Sequence, residues 1–588
     1  MPGRWQERSS STSLKTGDEN PLKVPDQIQR LLFHRGFDDA ASWNDLFDPK
    51  LGSMKSPWAL RDMKPAIDRL VEARINQEKI CLYADFDMDG TSGLALALDA
   101  FKQLGFHDVR PIQPQRLTEG YGFHDFIVEE LAKDGVTLIM TIDVGITANK
   151  ACATAKRLGI DVIITDHHQP GPEKPQALAI INPNQGDCPS GLGYLCGAGV
   201  AFTVVRALKR ALADAGVVPE SALNLKSLLD LFTIATLTDM VPLVEDNRML
   251  VKHGLRVIEG SKRAGIQALL KKLNMQGKEL SAQDVAIRFA PKLNALSRLE
   301  TGLRPLEIYL APDQPSAEAL VDQVLSQNSE RLDLQQHGEK IAFELLQEWP
   351  HEDFVLLTSK EFHRGVVGLI ATKIAGETGR PAFIGSENDE GVVVGSARAP
   401  HGSPVSVLEA LSSATDILQR HGGHPAAAGF EVLLSRKDEL IARLAEHHAS
   451  LDFTQESVMD HDGFLRLGDL NLGLLRWLEA LGPFGVDFAV PIFAFENLIL
   501  ENVMPLRGGH QKWILKDPAT FTKVDALYFS PPPGLSVKPG IVVSVLGEVQ
   551  KNDFRGSIKP QILIRDYKVA VPYEKESPSE KGLGSFGP

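Results

Sequence analysis

The hydrophobic pattern changes period several times along the chain. Between residues 24 and 77 apolar positions recur at helical spacing, as in IQRLLFHRGF and LRDMKPAIDRLVEARINQ, and predict largely helical structure. A short unbroken apolar run follows from Ile80 to Ala84, bounded by polar residues, and predicts a buried central strand. LALALDAFKQLGF then predicts a helix packed on that strand's sheet. Further strand-like runs come at VRPIQPQR, which ends at Arg116, at residues 136–144, at residues 161–165 and at ALAIINPN. Strands rich in Ile, Val and Leu that alternate with helices predict an α/β fold, a parallel sheet covered on both faces.

Downstream the texture changes twice. Residues 326–346 read as one long helix with polar and apolar positions and no break, a connector between two lobes. Residues 347–462 follow as a smaller α/β domain, strand-like at 354–357 and 391–396. From residue 463 to 570, short strands separated by Gly/Pro turns, as in PIFAFENLILEN, KWILKD, KVDALYFS and GIVVSVLGEV, predict a small all-β barrel. Residues 1–23 and 571–588 are polar and read as disordered tails.

Composition narrows the class. A chain of 588 residues exceeds what one core organises and predicts about three or four domains. Its 43% hydrophobic and 23% charged residues are ordinary for a soluble protein. Four cysteines without a Cys-x-x-Cys pair predict a reducing, cytoplasmic setting, and no signal peptide or membrane-spanning run is expected. The net charge of −14 argues against indiscriminate nucleic-acid binding. Yet residues 251–304 hold 11 Lys and Arg against 4 Asp and Glu, and residues 501–568 hold 10 against 6. An acidic body with two basic stretches fits a protein that guides a polyanion along chosen surfaces.

The candidate chemistry lies where the predicted strands end. Asp85, Asp87 and Asp89 follow the first strand, Asp143 ends the third, and Asp166, His167 and His168 follow the fourth. In parallel sheets, sites form at the carboxyl ends of strands. Carboxylates packed so closely repel one another, and a buried one without a partner is costly. A pair of divalent cations is the simplest countercharge. Asp239 closes the apolar helical run LKSLLDLFTIATLTDMVPL and becomes a ligand arriving from the opposite side.

YADFDMDGTSG (83–93), IDVG (142–145), TDHH (165–168) and TDMVPL (238–243) resemble, in order, the four motifs of the DHH phosphoesterase family. The longer match resembles the RecJ-type branch of that family, the bacterial exonucleases specific for single-stranded DNA. It takes in LLFHRGFDD and LRDMKPAIDRL before the first motif. After the last it continues through RFAPKLNALSRL (288–299), GVVGLIATKIA (365–375), GSARA (395–399), GGHPAAAGF (422–430), LGPFG (481–485) and the region 546–566. Two departures stand out: Ala84 replaces the usual Gly before the first aspartate, and Asp487-Phe488-Ala489 replaces the Gly-Asn-Pro that often follows Pro-Phe-Gly-x.

The resemblance implies a DHH domain over residues 24–325 with a helical amino-terminal region, a DHH-associated domain over 347–462 and an oligonucleotide-binding (OB) barrel over 463–570. It implies two Mn²⁺ ions, with Mg²⁺ as the alternative, on Asp87, Asp89, Asp143, His167 and Asp239, with Asp143 bridging. Asp85 is then a partial or supporting ligand, Asp166 orients a histidine, and His168 faces the scissile phosphate. The implied reaction is in-line two-metal hydrolysis releasing 5′-mononucleotides from the 5′ end, in DNA repair and recombination. Ser396 and Arg398, with backbone N–H groups and His424 of Gly-Gly-His, are expected to bind the terminal phosphate. Arg116 is expected to bind the substrate, and Asn294 and Arg298 to grip the strand or its end. In the barrel, Trp513, Phe521, Tyr528, Phe529 and Phe554 interleave with lysines and Arg555; most should be core, with one or two stacking on bases, Trp513 among the candidates. Single-stranded DNA is the expected partner, with a single-strand-binding protein and a helicase on the family's account; a monomer is the default state. Two other readings are a smaller DHH phosphodiesterase acting on short RNA or cyclic dinucleotides, and a non-catalytic scaffold. The barrel argues against the first and the complete ligand set against the second.

Overall fold

The structure, a computed structural model, describes residues 4–8, 22–114, 120–296, 304–400, 402–451, 458–529, 531, 537–554 and 556–569. The chain forms two compact units, Met54–Gln455 and a second joining Met1–Ser53 to Glu456–Pro588.

In the first unit the strands Ile80–Ala84, Leu138–Ile142, Asp161–Thr165 and Ala179–Ile181 lie side by side in chain order. Val109–Ile112 flanks the first strand on its other side, and every pairing is parallel. The chain therefore steps one way from its first strand to its second, then returns to the first strand's other edge. The carboxyl ends of Ile80–Ala84 and Leu138–Ile142 flank that reversal, the position where open α/β sheets form their crevice. Their register pairs Ala84 with Ile142, so Asp85 and Asp143 leave the sheet side by side. All five residues of each strand are buried, as an unbroken apolar run requires of a sheet covered on both faces.

The helix after the first strand, Met88–Gln103, is seated by two glycines. A Cβ on Gly90 would stand 2.4 Å from the Asp85 carbonyl oxygen, and one on Gly93 2.7 Å from Ile142 Cγ2. Helices Gly197–Asp214 and Leu229–Asp239 pack on it, and the latter delivers Asp239 as its last residue. The connector is longer than the sequence pattern predicted. It runs from Gln314 to Leu346, because the Asp313 carboxylate accepts the Ser316 N–H at 2.8 Å and caps it there. It packs on Ala264–Lys272 and on Val367–Thr378. Beyond it, a second sheet orders its strands Leu418–His424, Ala427–Leu433, Val392–Arg398, Ala382–Glu387 and Val355–Ser359, with only the last pair parallel.

The second unit is a closed barrel of Ile492–Pro505, Gln511–Lys516, Lys523–Tyr528, Ser557–Val569 and Val542–Phe554, in that spatial order. Here the structure differs from the expected domain boundary. Helices Asp26–His34 and Ala40–Phe47 belong to the barrel's core, where Ile28, Leu31, Leu32, Trp43 and Leu46 cluster with Leu474, Leu478 and Phe493. The Arg35 guanidinium fixes this arrangement, donating to both oxygens of buried Asp462 at 2.8 and 2.9 Å and to the Ala489 carbonyl at 2.7 Å. Nor is the start of the chain wholly a loose tail. Arg4–Glu7 pairs in parallel with Val458–His461, and the Trp5 indole N–H donates to Asp566 at 2.7 Å.

Candidate metal centre

Asp87 caps the helix Met88–Gln103: its Oδ1 accepts the N–H groups of Asp89 and Gly90 at 2.9 and 3.0 Å, leaving Oδ2 for another partner. Asp89, 1% exposed, accepts the N–H groups of Gly197 and Ala198 at 2.6 and 2.8 Å. It thus faces the amino termini of two helices, where partial positive charge favours an anion. Gly197 is obligatory, since a Cβ there would stand 2.4 Å from the Asp143 Cβ. Asp143 itself turns off its strand at φ 63° with Gly145 behind it, a conformation that aspartate tolerates better than most residues.

These elements bring the acids together with the fourth strand's histidines. His167 Nε2 lies 3.2 Å from Asp143 Oδ1, 3.6 Å from Asp239 Oδ2 and 3.8 Å from Asp89 Oδ2. One oxygen each from Asp85, Asp87 and Asp143 also falls within 4.8 Å of the others, as do the ligand atoms of Asp89, His167 and Asp239. Donor atoms about 2.0–2.2 Å from a shared ion stand roughly 3–3.5 Å apart, so these spacings fit first-row divalent cations. Asp143 Oδ1 is buried and accepts no hydrogen bond among the described residues, which leaves a lone pair for metal. Sulfur is absent from the set, and carboxylates with one imidazole suit Mn²⁺ and, less well, Mg²⁺.

The electrostatics agree. Burial, and then the charges of its neighbours, raise the Asp143 carboxyl well above its ordinary range. Burial followed by the Asp89 charge raises Asp87, and the same causes push Asp239 up to about 8. Burial lowers His167, which keeps its imidazole neutral and fit to bind metal. His168 goes the other way. Burial opposes its protonation, but the Asp166 hydrogen bond at 2.8 Å and the surrounding carboxylates outweigh it and push the group up to about 9. Asp166 is itself held in place by the backbone, accepting the N–H groups of Ile146, His167 and His168. Burial opposes its ionisation too, yet the hydrogen bond and charge of the His168 ring, followed by the N–H groups of Ile146 and His168, hold its carboxyl below the usual range.

Sequence reasoning missed the two helix-terminal amides of Gly197 and Ala198; their only signal is Gly-Ala-Gly opening a helix. It also missed Asn182 and Asn184, which donate to the His168 and His167 carbonyls. Tyr121 was missed as well: half-exposed, it has its hydroxyl 3.4 Å from His168 Nδ1.

The remaining predicted residues fall in several places. Ser396 and Arg398 share the strand Val392–Arg398, where Arg398 Nη1 donates to Ser396 Oγ at 2.6 Å and to the Ala397 carbonyl at 2.8 Å. Gly368, in the first turn of Val367–Thr378, lies against them; a Cβ there would meet Arg398 Nη2 at 2.8 Å and Ser396 Oγ at 3.2 Å. Gly422–Gly423–His424 is not a loop of free amides but an edge strand, with Gly422, Gly423 and His424 opposite Gly429, Ala428 and Ala427. Ala427 in turn faces Arg398, so His424 sits two strands across from it. Asn294 ends the short helix Ala290–Asn294 and is half-buried. Arg116 and Arg298 lie outside the described residues, as does Arg555. Trp513 has to be corrected: it is 0% exposed, its rings packed edge-on to Tyr528 and Tyr567 at 5.7 and 5.3 Å. No base reaches a ring without exposed surface; Trp513 is barrel core.

A parallel sheet whose strand ends gather five carboxylates and a neutral imidazole defines a metal-dependent phosphoesterase of the DHH type. The DHH family amino-terminal domain matches residues 79–236, the DHHA1 domain residues 351–448 and the RecJ OB domain residues 461–566. The chain belongs to the RecJ family of single-stranded-DNA-specific exonucleases. It is 32% identical to the RecJ exonuclease of Bacillus subtilis, over 96% of this chain and 71% of that one. It is 34% identical to that of Thermus thermophilus, over 100% and 79%. The crystal structure of Thermus thermophilus RecJ in complex with Mn²⁺ superposes with a TM-score of 0.78 at 29% identity, covering 93% of this chain and 76% of that one. A second structure of the same protein holds Mg²⁺.

Proposed function

We propose that this chain hydrolyses single-stranded DNA from its 5′ end, releasing 5′-mononucleotides, and that Asp85, Asp87, Asp89, Asp143, His167 and Asp239 hold its two divalent cations. The observation that carries this reading is the convergence of those six side chains at the point where the strand order reverses. When bound, the cations activate water and offset the charge that builds on the phosphate. The chain's own groups do the rest. His168, held protonated by Asp166, donates from its other ring nitrogen to a non-bridging oxygen of the scissile phosphate. Neutral His167 and the buried carboxylates fix where that phosphate sits. Ser396, Arg398 and the first turn beside Gly368 take the terminal phosphate, with the missing Cβ of Gly368 leaving room for the Arg398 and Ser396 side chains.

Among the described residues no helix is long and apolar enough to cross a membrane, in keeping with a cytoplasmic enzyme. The test is a single-stranded DNA labelled at its 3′ end, incubated with protein and Mn²⁺ beside the Asp143→Asn variant. Stepwise loss from the 5′ end, absent in the variant and on blunt duplex, supports the reading. Turnover of short RNA or cyclic dinucleotides without cleavage of DNA overturns it.

A further inference from the structure

The two outer strands of the parallel sheet supply no side chain to the proposed ligand set, yet each is followed by a side-chain amide that reaches the metal centre's backbone. Val109–Ile112 and Ala179–Ile181 are the sheet's edges. Gln113 follows the first and Asn182 the second, and they are 6% and 0% exposed.

Gln113 Nε2 donates to the Asp85 carbonyl at 2.7 Å and to Thr91 Oγ1 at 2.9 Å. Its two acceptors belong to different elements. Asp85 leaves the strand Ile80–Ala84, whereas Thr91 lies in the first turn of Met88–Gln103, where its N–H donates to the Asp87 carbonyl at 2.8 Å. One buried amide thus ties together the segment that carries Asp85 and Asp87.

The histidines are held from the opposite edge. The ladder of their strand stops at Asp166, whose N–H donates to the Ile181 carbonyl at 3.1 Å. Beyond it, all four backbone polar groups of His167 and His168 meet side chains. Both N–H groups donate to Asp166 Oδ1, the His168 carbonyl accepts from Asn182 Nδ2 at 2.9 Å, and the His167 carbonyl accepts from Asn184 Nδ2. Asn182 Oδ1 also accepts the Asn184 N–H at 2.7 Å, which links the two asparagines. A segment without a ladder depends on such side chains for its shape.

We infer that Gln113 and the linked Asn182 and Asn184 are positioning residues of the metal centre, and that the two edges serve different cations. Gln113 serves the ion on Asp85, Asp87 and Asp143; Asn184 serves the ion on Asp89, His167 and Asp239. Their donors go to main-chain carbonyls and a hydroxyl, so they act by fixing the backbone from which the ligands project. Outer contacts of this kind are worth about 10- to 100-fold in metal affinity. The inference rests on the proposed function for the ligand set.

The test titrates the full, metal-free chain with Mn²⁺ in the absence of DNA and follows the free ion by electron paramagnetic resonance. Wild type should take up two ions. Gln113→Met and Asn184→Leu keep the length or shape of the side chain but lose the donor. Each should raise Kd for one Mn²⁺ about ten-fold and leave the other within about two-fold, and the double variant should weaken both. Asn328→Leu is the matched control. Asn328 is 5% exposed and accepts from Arg331 at 2.8 Å on the connector Gln314–Leu346, so its loss should lower Tm without moving either Kd. If Met or Leu prevents folding, Gln113→Ser and Asn184→Ser, smaller and still polar, give the same readout. Wild-type Kd values in both single variants, or a double variant that weakens only one ion, overturn the positioning roles alone. Failure of the wild type to bind Mn²⁺ overturns the ligand set and the functional reading with it.

Discussion

The strand ends of the parallel sheet and the surface of the barrel both carry chemistry-bearing side chains, yet they hold them under opposite rules. At the sheet, Asp85, Asp89 and Asp143 are at most 3% exposed, and the structure spends helix amino termini and obligatory glycines on keeping them there. In the barrel, burial marks the residues that do not act: Trp513 is 0% exposed and structural, whereas Phe521 is 68% exposed. A buried carboxylate costs free energy unless something positive joins it, as Arg35 joins Asp462; at the sheet, among the described residues, Asp89 and Asp143 pair with no side-chain cation beyond the histidines. A buried aromatic needs no such partner, because burying it stabilises the fold. Burial therefore signals function in one region and the lack of it in the other.

The largest expected effect tests the first half of that contrast. Asp143→Asn keeps the shape of the side chain but removes the charge at the centre of the cluster. Exonuclease turnover should fall by more than about 10³-fold, on the scale expected when a two-metal site loses a ligand. Activity within about ten-fold of wild type would mean that Asp143 is a structural acid and the cluster is misread. Trp513→Ala should do the reverse, leaving chemistry intact while lowering barrel stability by about 3–5 kcal/mol. Calorimetry of the barrel transition checks it, with Phe521→Gly alongside as the variant that should not destabilise; equal losses in the two would erase the distinction drawn between them.

His168 is proposed to face the substrate, although one of its ring nitrogens also gathers with Asp143 and His167 in a group that could hold a metal ion. His168→Gln should lower the rate by about 10²–10³-fold, the scale of removing one preorganised donor. The rise in Tm on adding Mn²⁺ should survive in this variant and vanish in Asp143→Asn. Loss of the Mn²⁺ response in His168→Gln would move the residue into the ligand set.

How much of this the sequence disclosed follows from the same contrast. Asp85, Asp87, Asp143 and Asp166 each fall just after an apolar run, so period alone placed them at one edge of the sheet. The amides of Gly197 and Ala198 left almost no trace, because a backbone N–H has no letter of its own. The boundary near residue 53 was also hidden. The stripe on Asp26–His34 shows that the helix packs on something, but its partners Leu474 and Leu478 lie hundreds of residues away. In the barrel, alternation could not say which face a residue takes: Trp513 sits on the strand Gln511–Lys516 and turns inward, whereas Phe521 lies between strands at φ 59° and is exposed.

The smallest effect concerns specificity rather than rate. Arg398 donates to Ser396 and lies where only a glycine at 368 leaves it room, a paired guanidinium and hydroxyl that suit a doubly charged terminal phosphate better than a strand's internal one. Wild type should therefore prefer a 5′-phosphorylated strand over one with a 5′ hydroxyl, and Arg398→Ala should reduce that preference about ten-fold by weakening KM for the phosphorylated strand. Arg398→Lys should recover only part of it, since an ammonium keeps the charge but not the paired donors of the guanidinium. Gly368→Ala should erode the same preference, its added methyl lying 2.8 Å from Arg398 Nη2. If wild type treats the two ends alike, Ser396 and Arg398 belong to the fold of their sheet and the terminal phosphate is read elsewhere.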